Sequence, residues 1–122
     1  LMEEQTLSVV QEKAVGAYTH TFKEPFSWQG YTFEELTFDF ASLTGGDSLA
    51  IEEELLLLNK TAFVPALSGE YLVRMAARAC TTVIQEPGGR RTRIGTDALR
   101  AMPITEYNAI IGRARNFLLS AK

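Results

Sequence analysis

His20 and Cys80 are the one histidine and the one cysteine of this 122-residue chain, so any imidazole or thiol chemistry has to start from them. His20 stands between Tyr18 and Phe22 in an alternating run, the setting of a half-buried, hydrogen-bonded histidine rather than of a general base. The usual zinc sites take several Cys or His ligands, which one of each does not supply. Cys80 falls on or beside an apolar helical stripe, where a thiol is buried and inert by default. No Gly-x-Ser-x-Gly elbow is present to support a serine triad. Thr44-Gly45-Gly46-Asp47 follows a strand and opens a helix, as a phosphate loop does. It has no lysine after the glycines, and Asp47 would repel phosphate, so Thr44 and Asp47 read as a helix cap. Glu52, Glu53 and Glu54 are consecutive and point in three directions around a helix, which leaves them unable to converge on one cation. These residues predict no enzyme, no cofactor and no metal.

Two features ask for another explanation. Leu55 to Leu58 are four consecutive leucines, followed by Phe63 and Val64. At ~100° per residue such a run sweeps about 300° of a helix, whereas a surface helix buries one stripe. Unless this helix is central, one or two of the leucines must face another subunit or a partner. The second feature is the basic loop Arg90, Arg91 and Arg93. It reads as a solvated loop or as a contact for an acidic partner. Nucleic acid is the least supported, because no aromatic side chain is interleaved to stack on bases.

The elements that would carry these residues follow from periodicity. Tyr18 to Lys23 alternate strictly, with Tyr18, His20 and Phe22 on one side, and predict a strand. Pro25 should stop ladder pairing and Gly30 should turn the chain. A second strand over Tyr31 to Phe40 changes phase at Glu34–Glu35, as a bulge would cause. A first helix is expected from the Thr44 cap to about Asn59. A second runs from Gly69 to about Gln85, capped by Ser68, with Leu72, Met75, Ala76, Ala79 and Val83 as its stripe. A short helical turn follows from Thr96-Asp97 to Met102. Thr105 then caps a last helix from Glu106 to Ser120, with Tyr107, Ile110, Ile111, Ala114, Phe117 and Leu118 along its face. The predicted architecture is α+β: a loosely ordered arm over 1–17, then one domain over 18–122. That domain consists of an antiparallel hairpin at 18–40 and a bundle of three to four helices at 44–121.

Composition agrees with a folded domain, at 46% apolar and 22% charged residues. The formal charge of −3 conceals 12 acidic and 3 basic side chains in residues 1–70 against 3 acidic and 9 basic in 71–122. Two such halves are expected to attract each other, within one fold or between copies. The longest apolar run is far below the ~20 residues that cross a bilayer. The opening residues, with Glu3 and Glu4, show no basic-then-apolar leader pattern, so a cytoplasmic protein without membrane contact is expected.

The order of motifs carries a likeness. Lys23-Glu24-Pro25 and Trp28-Gln29-Gly30 precede Glu35-Leu36-Thr37-Phe38, and then Thr44-Gly45-Gly46-Asp47-Ser48-Leu49-Ala50-Ile51-Glu52 opens a helix. An alanine-rich helix from Tyr71, the turn Leu99-Arg100-Ala101-Met102 and the start Thr105-Glu106-Tyr107 follow. This order resembles the tail assembly chaperone family of long-tailed bacteriophages, in its Mu-like branch, over about residues 20–120. Leu43 stands where that pattern has proline, and the basic loop is longer than usual. The resemblance implies a non-catalytic protein of the host bacterial cytoplasm, absent from the mature virion. Its partners would be the tape measure protein, which it keeps soluble, and tail tube subunits, which it helps to recruit. On that implication Leu56, Leu57, Phe63 and Val64 form the partner-binding surface, with Phe117 and Leu118 as a second candidate patch. Self-association stays open. The alternatives are a structural tail or head-to-tail component and, behind it, a small nucleic-acid-binding regulator using Arg90, Arg91 and Arg93.

Overall fold

Alternating aromatic and threonine residues pair two strands, β2 (Tyr18–Trp28) and β3 (Tyr31–Phe38), into an antiparallel hairpin. Gln29 and Gly30 turn it with φ of 51° and 86°, the two positive values that a tight two-residue hairpin loop demands. The computed structural model describes residues 9–10 and 17–120, with side chains from residue 17 onward. The hairpin register breaks between Thr21 and Phe26, where β2 carries more residues than the partner stretch from Glu35 to Phe33. The phase change foreseen at Glu34–Glu35 is therefore real, but the surplus residues lie on β2, around Pro25, which cannot donate to a ladder. β2 itself continues past Pro25 to Trp28.

The molecule is α+β, the hairpin being followed by four helices: α1 (Gly45–Leu57), α2 (Gly69–Ala79), α3 (Thr96–Arg100) and α4 (Ile104–Ser120). Ser68 caps α2 by accepting from the Tyr71 N–H at 3.1 Å. α2 is the central helix. Tyr71, Leu72, Val73, Met75, Ala76 and Ala79 are all buried, and α2 touches α1, α3 and α4. Phe33, Leu36 and Phe38 of the hairpin join them in one core cluster with Ile51, Leu55, Ile110 and Ala114. Phe40 continues the aromatic row, stacking on Phe38 at 5.9 Å and on Phe117 at 5.8 Å.

Helix α2 stops at Ala79 rather than near Gln85. Cys80 turns extended, and Thr81 donates its N–H to the Thr37 carbonyl at 2.8 Å, while Thr82 Oγ1 accepts from the Thr37 N–H at 2.9 Å. A β-branched run crossing the end of β3 prefers that pairing to a further helical turn. Val83 consequently leaves the helical stripe and begins β4 (Val83–Gln85), which pairs with β5 (Arg91–Arg93). Of the expected arm over 1–17, Val9–Val10 form β1 and pair antiparallel with Val83 and Ile84; apart from residue 17, the remainder lies outside the described residues. The last helix starts at Ile104, with the Tyr107 N–H bonded to the Pro103 carbonyl at 2.9 Å, so Thr105 lies within its first turn and does not cap it. No described helix is long and apolar enough to cross a membrane.

Candidate partner-binding surface

The capping box at the start of α1 is complete. Thr44 Oγ1 accepts from the Asp47 N–H at 3.4 Å, and Asp47 Oδ2 accepts from the Thr44 N–H at 2.8 Å. That backbone donor, together with the Arg78 guanidinium at 2.9 Å, holds the Asp47 carboxyl below the usual carboxylate range. The other end of α1 is fixed as firmly. Asn59 adopts φ 62°, the Lys60 N–H bonds back to the Leu55 carbonyl at 2.8 Å, and the Asn59 N–H to the Leu56 carbonyl at 3.0 Å. This is a Schellman termination with asparagine in the left-handed position.

Between these two caps the rotation of the leucine run is set. Leu55 is 2% exposed and packs in the core, whereas Leu56 is 70%, Leu57 82% and Leu58 53% exposed. Ile51 and Leu55 hold the helix to α2, and the opposite face presents Leu49, Glu52, Glu53 and Leu56 at helical spacing. In the connector after α1, Phe63 is 91% exposed, and Val64 and Leu67 are exposed as well. Leu56 also lines an open groove of about 350 Å³ with Glu52, Lys60 and Ala62. Four of the six sequence-predicted contact residues, Leu56, Leu57, Phe63 and Val64, thus lie on the surface. The other two lie at a smaller open groove, which they line with Leu43, Thr44 and Ile51. Phe117 stacks on Phe40 and Leu118 is half-buried against the core, because α4 spends that face on covering the hairpin's aromatic row. The exposed apolar residue at that end of α4 is Leu119. Leu49 and Leu67 were not singled out by sequence, and Leu58 only as a member of the four-leucine run, although all three are exposed.

The basic segment is a strand rather than a loop. Pro87, Gly88 and Gly89 make the turn, both glycines at φ 91°, and Arg91–Arg93 form β5 against β4. Arg90 pairs with Glu86 at 3.1 Å. Other arginines of the C-terminal half meet acids of the N-terminal half. Arg78 pairs with Asp47, Arg74 with Glu54 at 3.3 Å, and Arg100 with Glu70 at 2.9 Å.

Comparison with protein-family models, curated proteins and solved structures finds no match.

The hydrogen bonding expected of His20 is present, in a line of groups whose members the sequence did not reveal. The ring's Nε2–H donates to Glu106 Oε1 at 2.7 Å, and Nδ1 lies within hydrogen-bonding distance of the Tyr18 hydroxyl at 2.9 Å. Glu106 Oε2 accepts from the Lys23 N–H at 3.1 Å, which ties α4 to β2. The order of groups is that of a carboxylate, an imidazole and a hydroxyl in a triad. However, burial raises the Tyr18 phenol above its ordinary value, which is the reverse of an activated nucleophile. Arg113 stands 4.5 Å over the Tyr18 ring and closes the cluster. A histidine in mid-strand was the available signal; its partner, 86 residues away in sequence, was not. Among the described residues no group of three or more His, Cys, Asp or Glu is placed to hold a metal ion.

Proposed function

We propose that this chain is a non-catalytic binding protein of the tail assembly chaperone kind, acting in a bacterial cytoplasm on a tape measure protein and absent from the finished particle. The observation that carries this reading is the outward display of Leu56, Leu57 and Leu58 at the end of a helix whose two ends are tightly capped, and of Phe63 in the connector that follows it. A tape measure protein presents long amphipathic helices whose apolar seams self-associate. A small protein offering leucines on a rigid mount covers such a seam and lets go of it during assembly, provided the patch is limited and rimmed by charge. Glu52, Glu53 and Lys60 supply the rim. Recruitment of tail tube subunits belongs to the same reading and uses other faces of the molecule.

Co-expression with a tape measure protein, sought as a long helix-rich reading frame beside this chain's own gene, tests the assignment. The unaltered chain should keep that protein in the supernatant, and Leu56→Asp with Leu57→Asp, or Phe63→Asp alone, should return it to the pellet. Equal solubilisation by the aspartate variants would remove this surface from the mechanism.

A further inference from the structure

β5 is an edge strand in the described sheet order β1-β4-β5. The phase of its ladder shows what that edge offers. The Glu86 N–H donates to the Arg90 carbonyl at 2.7 Å, and the register pairs Gln85 with Arg91, Ile84 with Thr92 and Val83 with Arg93. Hydrogen-bonded and non-bonded pairs alternate along antiparallel strands. Glu86–Arg90 is a bonded pair, so Ile84–Thr92 is the next one. The backbone N–H and C=O groups of Arg91 and Arg93 therefore point away from β4, toward the open edge. Beside that edge lies an open groove of about 510 Å³ lined by Arg78, Arg91, Arg93, Ser42 and Thr81, among others. Arg91 bonds to the neutral Gln85 side chain at 3.2 Å, and Arg93 to the Arg78 carbonyl at 2.9 Å. Among the described residues neither guanidinium meets a carboxylate, whereas Arg90 and Arg78 do.

We propose that this edge accepts an acidic, extended segment of a partner protein as an added strand. The segment's backbone pairs with Arg91 and Arg93, and its carboxylates sit against their guanidinium groups. Charge alone also guards edge strands against aggregation. The adjoining groove with its uncompensated arginines is what fits the site to an acidic chain. A polypeptide suits it better than a nucleic acid, because the edge alternates donors with carbonyl acceptors and the groove has no aromatic ring for a base to stack on. The surface shares no residue with the leucine patch, so either proposal stands if the other fails.

Fluorescence anisotropy with a labelled peptide of sequence Glu-Val-Asp-Val-Glu-Val tests the proposal on the full chain. It is run beside a version with lysine at the acidic positions, a version N-methylated at alternate residues, and a labelled oligothymidine. The acidic peptide should bind and the lysine version should not. Either N-methylation or the double variant Arg91→Gln/Arg93→Gln should weaken binding about tenfold or more. Amide shifts confined to residues 91–93 of the unaltered protein on peptide addition provide a second readout that needs no variant. Absence of acidic-peptide binding, equal binding by the double variant or the N-methylated peptide, or tighter binding of the oligonucleotide would overturn the proposal.

Discussion

Glu106 is the residue on which the joint between hairpin and last helix depends. Its carboxyl is held below the ordinary range, chiefly by the Lys23 N–H, with His20 adding to the effect against the cost of burial. A carboxyl whose folded value is lowered favours the folded state above the unfolded value, and that advantage fades as pH falls through the lowered one. Glu106→Gln should therefore flatten the acid limb of stability and lower stability at neutral pH by about 1–3 kcal/mol, since the His20 ring stays buried beside a weaker partner. Urea unfolding at a series of pH values from 7 down to 3 checks this; parallel profiles for the two proteins would deny Glu106 the role. Cys80 makes a second test at this scale. Burial pushes its thiol up to about 11. Being neutral and enclosed, it should react with a disulfide reagent at pH 8 on the order of a hundredfold more slowly than in the unfolded chain. Thiol titration with and without guanidinium measures the ratio, and equal rates would mean that the end of α2 is open.

Helix α1 is held by its two capped ends and by α2. Thr44→Ala removes one half of the capping box and should cost about 1 kcal/mol in urea unfolding without moving Leu56 or Leu57 from the surface. Ala76→Leu should cost about 1–3 kcal/mol by overfilling a fully buried site on the central helix. Both substitutions lie in elements that the sequence announces, because caps and small-residue stripes are local signals. The hairpin was legible for the same reason: period-two alternation survives in Tyr18, His20 and Phe22. What escaped was decided across the chain. Val83 keeps helical spacing with Ala79, yet Thr37 captures Thr81 and Thr82 and ends α2 before it. β1, β4 and β5 have two or three residues each, too few to display alternation. Angular arithmetic on the leucine run required exposure of some leucines, but which of the four turns inward depends on where α2 lies. Phe117 has the same spacing whether it is free or stacked, and Phe40 decides the matter.

Across the whole molecule, part of the opposed charge of the two halves meets in ion pairs within the fold. Asp47, Glu54 and Glu70 are matched by Arg78, Arg74 and Arg100, whereas Arg91 and Arg93 meet no carboxylate among the described residues. The apolar surplus is not spent in this way. With Leu56, Leu57 and Phe63 each at least 70% exposed, the isolated protein should self-associate as its concentration rises. Light scattering across a concentration series should show the mean mass rising, and Leu57→Glu/Phe63→Glu should return it to that of one 13.5 kDa chain. Because those side chains have little packing to lose, unfolding free energy should shift by no more than about 0.5 kcal/mol. A loss much larger than this would make the leucines part of the fold, and a mass constant across concentrations in both proteins would make them inert. A closed ring of fixed size that survives dilution would favour a component built into the particle over a chaperone that leaves it. A reversible rise in mass favours the chaperone, since a surface that must later let go of its client can hold only weakly to itself.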